Sequence, residues 1–273
     1  IITAAGEGSR FNNLGINKPK YQIIAKNKTL FNWAVKSLKN FNEFQYIFIF
    51  RKEFFNKSFV EKELKKLNIN NYSIVLVDYL TEGQAATAML ADEFIDEEEE
   101  VMIYNIDTAI RANSMNNEIF VEDGCIVVAK ALGDHWSFAK VDKNGYVNEV
   151  SEKVRISDYA SIGPYYFKKW KDFKWVYNNF KEDIKKQYKE VYICPMYQYL
   201  INENKKIKIY EISTNDFVCL GTPKEIDELI VSLSEILFSK VNKRHTRSIN
   251  FFAPSIPLWS HGLSASKGPI NIS

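Results

Sequence analysis

The chain has 273 residues, 46% hydrophobic and 26% charged, with a formal net charge of +2; this suits one large globular α/β domain with a tail, or two small domains. Charge so close to balance offers no field to attract nucleic acid or an anionic membrane. Cys125, Cys194 and Cys219 are far apart with no Cys-x-x-Cys pair, and His135, His245 and His261 do not cluster with them, which argues against a disulfide framework and against structural zinc.

Ile1-Ile2-Thr3-Ala4-Ala5 reads as a short strand broken by Gly6-Glu7-Gly8-Ser9. Leu30, Phe31, Ala34, Val35 and Leu38 have helix spacing. Tyr46 to Phe50 is an apolar run of strand length, Phe59 to Leu67 an amphipathic helix, Ile74 to Val77 a strand and Ala85 to Phe94 a helix. The like-charged run Asp96 to Glu100 is expected in a solvated loop, and Val101 to Tyr104 is another strand. Strands alternating with helices as far as residue 107 predict βαβ units: a Rossmann-like, doubly wound, mainly parallel but mixed sheet with helices on both faces. The glycine loop and the strand end at 105–107 then share the carboxyl edge, where open α/β sheets bind ligands.

Further on, Cys125 to Ala129 and Phe138 to Val141 read as strands. The turn Asp142-Lys143-Asn144-Gly145 leads into a hairpin arm from Tyr146 to Val150, and Ile162 to Phe167 is a strand. Residues 170–190 have helix-compatible spacing, and Ile207 to Ile212 is a strand. Pro223 to Phe238 is an amphipathic helix with Thr222 as N-cap. The expected organisation is a domain over 1–240, made of an α/β half at 1–110 and a small β-rich half at 111–240. A tail or linker without apolar period follows at 241–273. No apolar run reaches the roughly 18 residues of a membrane span, and no signal-peptide pattern is visible. A cytoplasmic location is therefore expected.

Gly6 and Gly8 remove Cβ atoms that would keep an anion from the backbone N–H groups of Ala5, Gly6, Gly8 and Ser9. Arg10 and Lys20, in Lys18-Pro19-Lys20, add cationic donors for phosphate oxygens. No Gly-Lys-Ser/Thr follows, so this is not a P-loop, and Phe11 stands where a dinucleotide fingerprint needs its third Gly.

This segment resembles the signature of the sugar-phosphate nucleotidyltransferases, the pyrophosphorylase superfamily. Further matches follow in order: Thr81-Glu82-Gly83-Gln84-Ala85-Ala86-Thr87, Asn105-Ile106-Asp107-Thr108, Glu152-Lys153, Ser161-Ile162-Gly163-Pro164-Tyr165-Tyr166-Phe167 and Leu220-Gly221-Thr222-Pro223. The combination is most similar to the bacterial branch that makes precursors for capsules and other surface polysaccharides. The resemblance implies transfer of a nucleoside monophosphate from an NTP to a sugar 1-phosphate, or a similar small phosphate, with release of pyrophosphate. It implies base contacts at Gly83 and Gln84, Mg²⁺ at Asp107 and acceptor contacts from Glu152, Lys153, Gly163 and Tyr165. A pyrimidine NTP is favoured, and homo-oligomerisation is left open. By themselves these residues have plainer readings: Asp107 as a turn former, Glu152-Lys153 as a solvated pair, and Tyr165 or Tyr166 as core.

In many relatives an Asp two residues before the Gly of the Gly-Thr-Pro turn completes the metal site, whereas Cys219 stands here. Asp216 is the nearest carboxylate and is expected to be the second ligand. Two other functions share such a core. A glycosyltransferase using a nucleotide-sugar would normally show Asp-x-Asp, where this chain has Asn105-Ile106-Asp107. A non-catalytic nucleotide binder has no use for an acceptor-side lysine such as Lys153.

Overall fold

The fold is that of a computed structural model, which describes residues 1–6, 8, 11, 15 and 18–226. The chain divides into two units, Ile1–Val231 and Ser232–Ser273, and the second lies outside the described residues. The strands of the first half are β1 (Ile2–Ala4), β2 (Ile24–Ala25), β3 (Lys28–Thr29), β4 (Tyr46–Arg51), β5 (Tyr72–Val77), β6 (Val101–Asn105) and β7 (Thr108–Ile110). They are followed by β8 (Gly124–Lys130), β9 (Ser137–Val141), β10 (Val147–Glu152), β11 (Tyr159–Phe167), β12 (Ile207–Glu211) and β13 (Phe217–Cys219). The helices are α1 (Leu30–Lys36), α2 (Lys57–Lys66), α3 (Gln84–Met89), α4 (Trp170–Tyr188) and α5 (Met196–Asn202).

One mixed sheet runs in the order β10-β9-β11-β6-β1-β4-β5, with β8 also beside β11 and β12 beside β8. β5, β4, β1 and β6 are parallel neighbours, and β11 joins β6 antiparallel. The chain winds outward from β1 through β4 to β5, then crosses back to β6 on the other side of β1. Connections thus leave β1 and β6 in opposite directions, which opens a crevice at their carboxyl ends.

β4 shows why the apolar runs are strands buried on both faces. Tyr46, Phe48 and Phe50 stack along one face, with ring centroids 5.9 and 6.2 Å apart, and join the core that holds Phe31 and Val60. Ile47 and Ile49 point the other way, into the core of Ala85, Ile103, Trp170 and Phe173. Burying each such side chain contributes roughly 1.5–3 kcal/mol. Helices start where caps stand: Thr29 accepts from the Asn32 N–H at 3.1 Å, and Asn56 from the Phe59 N–H at 3.0 Å.

Several features depart from the sequence reading, among them the short β2–β3 ribbon and the helix expected over Ala85 to Phe94, which ends at Met89. The acidic run at 96–100 is exposed but not merely solvated, because Glu98 pairs with Lys169 and Lys171, and Glu97 with Lys174. α5 was not anticipated; it is one short element held by Tyr197, whose hydroxyl donates to the Tyr166 carbonyl at 2.7 Å. Nor was the β7–β13 ribbon, whose strands have three residues each. Thr222 caps as expected, its hydroxyl accepting from the Glu225 N–H at 3.2 Å; the helix expected beyond Ile226 and the tail at 241–273 lie outside the described residues.

Candidate active site

The carboxyl ends of β1 and β6 open on a cleft of about 780 Å³ lined by Ala5, Gly6, Gly8, Lys20, Gly83, Gln84 and Asp107, among others. Parallel pairing brings the two strand ends together: Ile2 lies beside Tyr104 and Thr3 beside Asn105. Pro19 precedes a single 3-10 turn, Lys20–Gln22, which aims the Lys20 side chain back at β6. Lys20 Nζ donates to Asp107 Oδ2 at 2.9 Å, and Asn105 Nδ2 donates to Asp107 Oδ1 at 2.5 Å. The Lys20 side chain is 15% exposed and that of Asp107 37%, so the pair is shielded on the Lys20 side and open to the cleft at the carboxylate. The backbone of Asp107 is held as well, its carbonyl accepting from the Leu220 N–H at 2.6 Å. That contact brings the Gly-Thr-Pro turn to the same point: a Cβ on Gly221 would lie 3.8 Å from Asp107 Oδ2 and 3.9 Å from Lys20 Nζ. A Cβ on Gly6 would meet nothing within 4 Å, leaving its backbone open to the cleft.

The opposite wall is the turn into α3. Gly83 has φ +137°, and its conformation is fixed by Val191: the Val191 N–H donates to the Glu82 carbonyl at 2.8 Å, and the Ala85 N–H to the Val191 carbonyl at 3.0 Å. Gln84 Nε2 reaches across to the Thr3 hydroxyl at 3.3 Å. Lys18, which the sequence offers beside Lys20, also lines the cleft, as do Phe54, Leu80 and Glu190, which were not singled out in the sequence. Val191 carries no motif; only the contact reveals it.

The residues expected to hold the acceptor form a neighbouring group outside the cleft lining. Glu152 is 5% exposed and accepts a hydrogen bond from the Ser137 hydroxyl. Burial pushes its carboxyl above the ordinary pKa, with Ser137 and then Lys153 pulling the other way. Lys153 is exposed and sits at φ +58°, a conformation rare outside glycine and concentrated at functional sites. Its Nζ donates to the Tyr192 hydroxyl at 2.7 Å and lies 4.7 Å from the centre of that ring. The Tyr192 bond is the chief cause holding the Lys153 ammonium above its usual pKa. Tyr165 is buried, and burial raises its phenol pKa. Gly163 lies against Asn105, not in the open.

Asp216 is not brought to Asp107. β13 pairs antiparallel with β7, setting Cys219 opposite Thr108 and Phe217 opposite Ile110. Asp216 therefore falls opposite Arg111, four residues or roughly 13 Å along the ribbon from Asp107. There its carboxylate takes the Arg111 guanidinium at 3.0 Å and the Ser114 hydroxyl at 3.0 Å. Cys219 is the ribbon position nearer Asp107. Ser9 and Arg10 lie outside the described residues.

Residues 1–207 match the model of the nucleotidyl transferase family. The chain belongs to this family. The nucleotidyltransferase is 30% identical to the nucleoside-diphosphate-sugar pyrophosphorylase of Vibrio cholerae RC9, with TM-score 0.77 over 84% of this chain and 98% of the other. The fold is shared with the inositol-1-phosphate CTP transferase of T. maritima (14% identity, TM-score 0.68, 86% and 94% covered). It is shared too with a UDP-glucose pyrophosphorylase of Acinetobacter baumannii (13%, 0.64, 87% and 97%). No curated protein sequence matches the chain significantly. No helix among the described residues is long and apolar enough to cross a membrane.

Proposed function

We propose that this nucleotidyltransferase joins a pyrimidine NTP to a sugar 1-phosphate, or a similar small phosphate, and supplies an activated precursor for surface polysaccharide. The observation that carries the reading is the Lys20–Asp107 pair, 2.9 Å apart and facing the Gly83 turn across one cleft. A cation for phosphate and a carboxylate for a metal stand together opposite a slot floored by backbone.

An acceptor phosphate oxygen attacks the α-phosphorus in line. The new P–O bond forms as the α–β anhydride bond breaks, and the electron pair leaves on the bridging oxygen of pyrophosphate. No protein nucleophile is needed; the catalytic task is to hold two anions together and neutralise them. Backbone N–H groups of the loop from Ala5 through Gly6 and Gly8 to Ser9 cradle the triphosphate. Arg10 and Lys20 stabilise the departing pyrophosphate. Gly83 lets the base lie against the backbone, and Gln84 meets its edge. Lys153 holds the acceptor phosphate, while Glu152, with Gly163 and Tyr165 on β11, serves the sugar side.

Among the described residues no three His, Cys, Asp or Glu side chains converge as a metal site. The Asp107 carboxylate, 37% exposed at the cleft, suits Mg²⁺, which takes one or two carboxylates and completes its shell with phosphate oxygens and water. Asp107 is the residue to hold it, and the ion would neutralise charge on the phosphate oxygens. Residues 1–240 are proposed as the catalytic domain, with 241–273 as a tail.

The test is a matrix of NTPs against sugar 1-phosphates and other small phosphates with Mg²⁺, read as pyrophosphate released. Release that depends on both substrates supports the reading. Sugar transfer from a ready-made nucleotide-sugar, with no pyrophosphate anywhere in the matrix, refutes it.

A further inference from the structure

Asn105 ends β6, and β11 runs antiparallel beside it in the register Tyr165–Ile103, Tyr166–Met102, Phe167–Val101. Against β8 the register of β11 shifts between Ser161 and Tyr165, and in that irregular stretch Gly163 comes up against Asn105. Gly163 has φ +114°, and a Cβ built there would lie 2.1 Å from Asn105 Oδ1 and 2.9 Å from its Cγ. No side chain larger than hydrogen fits while Asn105 stays where it is.

The Asn105 carboxamide is oriented by its other end. Nδ2 donates to Asp107 Oδ1 at 2.5 Å; the reverse orientation would set two acceptor oxygens against each other. Oδ1 then faces Gly163, buried and without a hydrogen-bond partner. A buried amide oxygen left so loses its hydration without a replacement partner, and what the arrangement obtains in return is an N–H aimed at one oxygen of Asp107. Lys20 takes the other oxygen.

We infer that Asn105 is a positioning residue for Asp107, and that position 163 is glycine to leave room for it. The inference rests on Asp107 being the metal anchor. Lys20 has two tasks in that reading, pairing with Asp107 and meeting phosphate; when it turns to the nucleotide, the Asn105 N–H keeps the carboxylate facing the cleft. Gly163 thereby serves the metal side of the site from the strand that borders the acceptor side.

The test titrates Mn²⁺ into wild type, Asn105→Ala, Asn105→Ser, Gly163→Ala, Asn105→Ser with Gly163→Ala, and Asp107→Asn. Each carries a saturating pyrimidine NTP, CTP or UTP, whichever releases pyrophosphate. Bound Mn²⁺ is read by electron paramagnetic resonance, and kcat and both KM values are measured alongside. Asn105→Ala and Gly163→Ala should each weaken Mn²⁺ about tenfold, the usual scale for a residue that orients a metal ligand, with kcat falling, and Asn105→Ala should keep acceptor KM within about twofold of wild type. In the Asn105→Ser background Gly163→Ala should weaken Mn²⁺ no further, because the shorter side chain no longer meets the new Cβ. Should Gly163→Ala fail to fold at its positive φ, Asn105→Ala decides alone. Unchanged Mn²⁺ affinity in Asn105→Ala, with a loss in Asp107→Asn, overturns the positioning role. A Gly163→Ala effect confined to acceptor KM overturns the role of Gly163. Unchanged Mn²⁺ affinity in Asp107→Asn overturns both this inference and the metal reading beneath it.

Discussion

The backbone of Val191 occupies the space a side chain at Gly83 would need: a Cβ there would lie 2.6 Å from the Val191 nitrogen and 2.7 Å from its carbonyl oxygen. Both groups are committed to the turn, one to Glu82 and one to Ala85. Gly83→Ala must therefore move either α3 or the 190–192 segment, and at φ +137° the alanine is strained besides. Strain of this kind costs on the order of 1–3 kcal/mol. A lower Tm is expected, and calorimetric titration should show NTP affinity reduced roughly tenfold. Wild-type NTP affinity in a folded Gly83→Ala protein would remove Gly83 from the base slot.

The next residue, Tyr192, holds Lys153. Tyr192→Phe deletes the hydroxyl at 2.7 Å and keeps the ring at 4.7 Å. One net hydrogen bond is worth roughly 0.5–1.5 kcal/mol. Steady-state kinetics should show acceptor KM raised about threefold to tenfold, with NTP KM unchanged. Lys153→Ala should raise acceptor KM further, and Arg10→Ala should raise NTP KM instead. Equal effects of Lys153→Ala on the two KM values would contradict an acceptor clamp.

Asp107 and Asp216 should part company. Asp107→Asn keeps the shape and removes the charge, so turnover should fall at least about tenfold, equivalent to roughly 1.4 kcal/mol. The Mg²⁺ concentration needed for half-maximal rate should rise. Asp216→Ala should leave that Mg²⁺ dependence unchanged, because its carboxylate is occupied by Arg111 and Ser114. With Arg111 more than half exposed, the stability lost with the ion pair should stay within about 1 kcal/mol. A Mg²⁺ requirement raised by Asp216→Ala would restore Asp216 as a ligand.

Glu152 makes stability depend on pH with a definite sign. Burial raises its pKa in the fold, so folding favours the protonated form. Its favourable contribution is complete below the unfolded pKa and is lost as pH rises through the folded one. Glu152→Gln keeps an amide oxygen for Ser137 and cannot ionise. Thermal melts across this range should show the Tm of Glu152→Gln gaining on wild type as pH rises. A Tm difference that is flat, or that moves toward wild type, would show that Glu152 is not disfavoured as a charge.

The alternation of apolar runs and helix-spaced segments was legible because one side of each element must meet the core. β4 is apolar from Tyr46 to Phe50 since both its faces are buried, and α1 repeats Leu30, Phe31, Ala34 and Val35 since one face is. The ordered short motifs sufficed for the family, and Gly6, Gly8, Lys20, Gly83, Gln84 and Asp107 do line one cleft. β7, β13 and α5 were not legible, because three residues carry no period and one short helix is decided by what it packs on.

Sequence by itself determined which residue types lie where chain direction changes, and so the glycine loop, the strand-end carboxylate and the family. Tertiary structure alone decided the pairings across long separations. Asn105 and Gly163 meet because β11 runs beside β6 and is irregular between Ser161 and Tyr165, Val191 closes on Gly83 because α4 returns the chain to α3, and Asp216 is turned to Arg111 by the β7–β13 pairing. In a sheet a shift of one residue sends a side chain to the other face. Which distant residues touch is therefore a property of strand order and register, which no local pattern encodes.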